Sequence, residues 1–253
     1  MSAAVAWARR FFDLGASGES DPVVDADAGA DTDFEIVVLE ESPAAAPAPA
    51  PAPDPPAQPA PPAPPAPPAV LVFDTETTGL KDPLAVQIAW VVYDPNGTEL
   101  WTRAEYLALP PGRRIDPGAE KVHRISLRTL EAKGKAPQFV LADFFADVDR
   151  IEAAQGKLVA HNAKFDARVV TNTATSCGLA RDLVSDACFC TMQTSKQRLG
   201  LKNSRGGLKV PKNTELHEAL VGPVPAGTRL HEALADVRIT AASYFAGQRQ
   251  RWW

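Results

Sequence analysis

Between Pro43 and Pro68 the chain places 14 of its 24 prolines, interleaved mainly with alanine. No helix interior or central strand accepts such a run, because proline lacks an amide hydrogen and its ring collides with the preceding turn. Alanine adds too little apolar surface to offset the entropy of ordering, so the tract is expected to be a disordered, semi-stiff polyproline II spacer. The segment before it reaches the same end by charge. Residues 1–69 hold eleven acids against only Arg9 and Arg10, a balance of −9. A disordered acidic arm (1–42) and an Ala/Pro-rich linker (43–69) are therefore expected ahead of one folded domain, 70–253, long enough for a single α/β core.

The net charge of −5 leaves +4 for that domain. A mildly basic domain is compatible with a polyanionic partner, a statement about association and not about fold. Cys177, Cys188 and Cys190 make no even disulfide framework, and Cys188-x-Cys190 lacks the spacing of a four-ligand zinc site. Free thiols in a reducing compartment, cytoplasmic or nuclear, are expected. No apolar run approaches the ~20 residues of a membrane span and no secretory pattern is present, so no membrane partner is expected. AVAWARRFFDL, near the start, has the makings of a short amphipathic helix, but the acids that follow argue against a targeting peptide.

Along the domain, VLVFDT is a buried strand. AVQIAWVVYD (85–94) and ELWTRAEYLAL (99–109) flank Pro95-Asn96-Gly97 and form an antiparallel hairpin. GAEKVHRIS (118–126) contains a short helix. Leu141, Phe144, Phe145, Val148 and Ile151 recur at helical spacing, so residues 138–154 make an amphipathic helix. KLVAH (157–161) is a strand, AKFDARVVTNTATSCG (163–178) a helix ending at glycine, and SDACFCT a further strand. Helices follow near 190–199, 213–221 and 231–247. Three strands in a row, then strands alternating with helices, predict a mixed sheet covered on both faces.

In VLVFDTETTGL (70–80), Asp74 and Glu76 are two apart, so a strand aims both carboxylates at one spot. Either the strand frays into solvent there, or a divalent cation turns mutual repulsion into coordination. HNAKFD (161–166) places Asp166 one turn inside a helix, where an acid also complements the helix dipole. HEALAD (231–236) sets His231 and Asp236 five apart, about 1.4 turns on the last long helix, so both can face one cleft.

Taken in order, D-x-E-T-T-G, H-N-x-x-F-D and H-x-x-x-x-D, about 90 and 70 residues apart, resemble the DEDDh group of 3′→5′ exonucleases on an RNase H-like fold. VHRI (122–125) looks like that family's V-H-G-I segment, with Arg124 in place of glycine, and GLKVPKNTELHEALVG looks like its K-x-P-K stretch. The resemblance implies an α/β fold with a five-stranded mixed sheet. It implies two Mg²⁺ or Mn²⁺ ions about 3.5–4 Å apart, held by Asp74, Glu76, Asp166 and Asp236. His231 would act as general base on the attacking water. Thr77 would meet the 3′-terminal sugar and Leu80 the last base, with His123, Asn162 and Phe165 lining the nucleotide pocket. Nucleoside 5′-monophosphates would leave one at a time from 3′ ends of single-stranded DNA. RNA trimming on the same fold, or a non-catalytic binding module, is the alternative.

Three features lie outside these motifs. Residues 196–212 carry six bases and no acid, a flexible loop that can either track phosphates or form an ordinary solvated surface. Trp252 and Trp253 could stack on bases, although terminal residues are usually mobile. DFEIVVLEES (33–42), an apolar core edged by acids, looks like a small-ubiquitin-like-modifier interaction motif that would add to a protein partner's sheet edge; a chance apolar cluster is the alternative.

Overall fold

The protein is described in a computed structural model over residues 66–253. The acidic arm, most of the proline-rich linker and the DFEIVVLEES segment lie outside the described residues.

Strand β1 (Val70–Thr77) is central, and β2 (Ala85–Tyr93) pairs with it antiparallel from Val70↔Tyr93 to Thr77↔Ala85. Pro95-Asn96-Gly97 closes the hairpin into β3 (Glu99–Tyr106), with the Asp94 carboxylate accepting the amides of Asn96 and Thr98 at 2.8 Å each. On the other side β4 (Lys157–Ala160) and β5 (Cys188–Cys190) run parallel to β1, giving the order β3-β2-β1-β4-β5. The expected five-stranded mixed sheet is present. The SDACFCT strand is shorter than expected, because Ser185–Ala187 winds into one 3-10 turn first.

The helices are α1 (Pro117–His123), α2 (Leu127–Lys133), α3 (Pro137–Ala153), α4 (Ala163–Ser176), α5 (Thr191–Leu199), α6 (Asn213–Leu220) and α7 (Ala233–Arg249). Helix α2 is too short for periodicity to announce, and its signal is local: the Ser126 hydroxyl accepts the Thr129 amide at 3.2 Å. Alternation along β1 sorts the two cores. Leu71 and Phe73 join Ile88, Trp90, Leu141, Phe144, Val148 and Val170 under α3 and α4. Val70 and Val72 join Ala89, Val91, Val159, Val237, Ala241 and Tyr244 under α7. The same alternation, continued to the strand's end, assigns Asp74 and Glu76 to the α7 side and Thr75 to the α4 side.

Trp252 and Trp253 are part of the domain's packing. The Trp253 indole NH donates to the Tyr244 carbonyl at 3.2 Å, and its ring lies against Phe189 and Tyr244. Arg198 sits over Trp252. This packing buries aromatic area that solvent would otherwise face. Cys177, Cys188 and Cys190 are free, and burial pushes the Cys188 thiol up to about 12. Among the described residues no helix is long and apolar enough to cross a membrane.

Candidate active site

At the end of β1, oxygens of Asp74, Glu76 and Asp236 lie within 4.8 Å of one another. Two of them arrive by strand alternation and the third by the docking of α7. That helix is held at its start by two side chains: Gln87 on β2 accepts the Ala233 amide at 3.2 Å, and Asn213 donates to the Asp236 carbonyl at 3.1 Å. Gln87 is the register partner of Glu76, so one pair of strand positions sets both the carboxylate and the helix that faces it.

Asp166 is not in that 4.8 Å group. It is buried on α4, and its Oδ1 accepts both the Thr75 amide at 3.1 Å and the Thr75 hydroxyl at 2.7 Å. Asp166 still dominates the charge felt by Asp74. Burial first, then the charges of Asp166, Asp236 and Glu76, pushes Asp74 well above the usual carboxylate range. Burial, followed by Asp236 and Asp166, raises Glu76 to about 8. Burial raises Asp166 to about 7 although the Thr75 bonds pull the other way. Asp236 is raised by burial and partly relieved by His231. Four carboxylates that resist ionising together suit a divalent cation, whose charge would offset their mutual repulsion.

His231 differs from its expected placement. Helix α7 begins at Ala233, so His231 is not on it and helical phase does not align it with Asp236. It lies in the preceding loop at φ 62°, where its amide donates to Asp236 Oδ2 at 3.0 Å. The carboxylate of Asp236 replaces the missing helical partner of that amide. The residue is exposed, and its charge is felt by both Asp236 and His123.

A cleft of about 510 Å³ adjoins the acids, lined by Glu76, Thr77, Leu80, Val122, His123 and Phe165 among others. Four of the five expected substrate contacts therefore share one cavity. Asn162 does not; with Phe165, Lys164 and Arg168 it lines a neighbouring cavity of about 420 Å³. Leu80 is 81% exposed, an apolar side chain presented to the cleft mouth with nothing packed over it. Val122, half exposed in the same cleft, escaped sequence reasoning because its helix is only seven residues long. His123 is engaged at both nitrogens. The Ile125 amide donates to Nδ1 at 3.0 Å, so Nε2 carries the proton and donates to the Thr77 carbonyl at 3.1 Å. Burial lowers its pKa, consistent with a neutral ring. Arg124 takes φ 62° and caps α1 by donating to Glu120 O at 2.7 Å, so arginine adopts the backbone that glycine would favour.

Thr75, Gln87 and Asn213 were also not foreseen. Thr75 had a signal, since alternation sends it away from its acidic neighbours; Gln87 and Asn213 act across long sequence separations and had none.

The RNase_T exonuclease family model matches residues 71–244. No curated protein matches the chain by sequence. Among solved structures, E. coli exonuclease I in complex with a dT13 oligonucleotide is similar at 17% identity and TM-score 0.55, over 72% of this chain and 41% of that one. The exonuclease I of Methylocaldum szegediense is similar at 14% identity and TM-score 0.55, over 72% and 41%. The zinc-bound E. coli exonuclease I complex with single-stranded DNA is similar at 18% identity and TM-score 0.51, over 72% and 41%. The chain thus spans about two fifths of the length of these neighbours. With its motifs matched and its carboxylates gathered at one strand end, the chain belongs to the RNase_T exonuclease family, nucleases of the DEDDh type on an RNase H-like fold.

Proposed function

We propose that the domain hydrolyses phosphodiester bonds at DNA 3′ ends, releasing nucleoside 5′-monophosphates, with two divalent cations as cofactors. The observation that carries this reading is the gathering of Asp74, Glu76 and Asp236 within 4.8 Å, beside a fourth acid whose Oδ1 alone is engaged. Such a set fits a hard divalent ion, because oxygen donors at this spacing repel unless a cation or protons lie between them. Asp74, Glu76 and Asp236 would hold one ion, and Asp74 with Asp166 a second, in Mg²⁺ or Mn²⁺ form. Bound there, the cations would supply charge stabilisation at the phosphate and make water a stronger nucleophile.

The chain's own groups do the rest. His231, exposed and tied to the Asp236 carboxylate through its amide, accepts the proton of the attacking water. Leu80, Val122 and Phe165 give the cleft apolar walls that suit a base, while Thr77 faces the sugar. His123 orients this wall by tying α1 to the Thr77 carbonyl. The polarity rests on the motif resemblance. The choice of DNA is favoured by neighbours whose structures contain single-stranded DNA or a dT13 oligonucleotide.

The test is digestion of 3′-labelled and 5′-labelled DNA oligonucleotides, with matched RNA, in Mg²⁺ and in EDTA. Stepwise shortening from the 3′ end is expected, lost in EDTA and in Asp74→Ala. Shortening from the 5′ end, or none of either nucleic acid, would overturn the proposal; preference for RNA would replace its substrate.

A further inference from the structure

No acid occurs between Asp186 and Glu215, yet six bases do. The part of this stretch expected to be flexible is folded. Residues Leu201–Lys209 form a small hairpin: Lys209 donates its amide to the Leu201 carbonyl at 2.9 Å, Asn203 to Gly207 at 2.8 Å, and Lys202 bridges Leu208. Its tip is braced by one side chain. Asn203 Oδ1 accepts the amides of Arg205 at 2.9 Å and Gly207 at 3.1 Å. Gly206 turns the chain at φ 77°.

Two of the six bases are engaged. Lys209 pairs with Glu215 at 2.6 Å, and Arg198 is tied to the C-terminal turn and Trp252. Lys202 and Arg205 are exposed and have no acidic partner among the described residues. Two free cations on a turn that is already ordered bind an anion without a large further loss of entropy.

The hairpin's root is fastened to the site. His161 Nε2, the residue before Asn162 and α4, meets the Pro211 carbonyl at 3.0 Å; two residues on, Asn213 holds the Asp236 carbonyl.

We propose that this hairpin is a docking arm for the nucleic-acid backbone, with Lys202 and Arg205 gripping phosphates away from the reacting end. It rests on the nucleic-acid reading of the site and names a part of the substrate that the cleft itself does not reach. Its chemistry is charge without base readout, so it adds affinity for length and not for sequence.

The experiment is fluorescence anisotropy of a 5′-labelled oligothymidylate of about 20 nucleotides in EDTA, for the wild type and the double variant Lys202→Gln/Arg205→Gln, from about 50 to about 200 mM salt. The plot of log affinity against log salt should be shallower for the variant by about 1.4, two contacts at about 0.7 each, so the wild-type advantage shrinks about sevenfold over that range. Equal slopes overturn the docking arm. Hydrolysis is measured in parallel with Mg²⁺. A wild type that binds with the expected slope difference but never hydrolyses sinks the catalytic reading and leaves the arm standing; one that hydrolyses with equal slopes does the reverse.

Discussion

Thr75 holds Asp166 twice: its amide at 3.1 Å and its hydroxyl at 2.7 Å converge on a single oxygen, Oδ1. One residue of β1 thus orients an acid 91 positions away and leaves only Oδ2 for other partners. Both donors favour the ionised carboxylate against the burial that opposes it.

Removing the hydroxyl while keeping the shape should therefore loosen Asp166 without unfolding the strand. Thr75→Val is expected to lower kcat about tenfold, in line with a charged hydrogen bond worth ~1.5–3 kcal/mol, and to weaken Mn²⁺ binding measured calorimetrically. Thr75→Ser should restore both. A variant with normal Mn²⁺ affinity and turnover would show that the amide alone suffices.

The raised carboxylates make a stability prediction with a definite sign. A group whose folded pKa exceeds its unfolded value stabilises fully below the unfolded value and loses that contribution as pH rises through the folded one. With Glu76 at about 8 and Asp166 at about 7, the metal-free protein should lose thermal stability between about pH 5 and about pH 8. Added Mg²⁺ should raise Tm more at the upper end than at the lower. Thermal melts in EDTA and in Mg²⁺ check both; a Tm in EDTA that climbs over this window would contradict the burial assigned to these acids.

By the same repulsion, Asp74→Asn should abolish hydrolysis yet stabilise the metal-free protein at about pH 8, where the neighbouring carboxylates repel one another most. Urea melts in EDTA measure this. A destabilised Asp74→Asn would mean that the carboxylate is held by attraction and not merely tolerated.

Asp147 binds two tryptophans from neighbouring strands, Trp90 at 2.8 Å and Trp101 at 3.0 Å, and Arg150 at 2.6 Å. Asp147→Ala leaves the indole NH of fully buried Trp90 without a partner and should cost about 2–4 kcal/mol by chemical denaturation. Arg150→Ala, which removes only the solvent-facing partner, should cost less than about 1 kcal/mol.

Arg124 occupies the left-handed region at φ 62° as the cap of α1. Arg124→Gly should raise stability by about 0.5–1 kcal/mol through relief of that strain. Loss of stability instead would identify a contact of the arginine side chain that outweighs its backbone.

What the sequence determined is what repeats or interacts over a few residues. The alternation that buries Leu71 and Phe73 on one side and Val70 and Val72 on the other also pairs Asp74 with Glu76, so half of the acid cluster is a local property of β1. The hairpin turn at Pro95–Gly97 and the stripe of Leu141, Phe144, Val148 and Ile151 on α3 were legible for the same reason. Tertiary structure alone decided the rest. Asp236 reaches the cluster because Gln87 and Asn213 dock the start of α7; His231 is displaced into a loop because α7 begins two residues later than its phase suggested. Asp166 is oriented by Thr75, the two tryptophans at the C-terminal end are packed inward, and the basic run folds into a hairpin braced by Asn203. Periodicity reports which way a side chain points along its own element, whereas contacts between elements depend on how whole helices and strands pack, which no local pattern encodes.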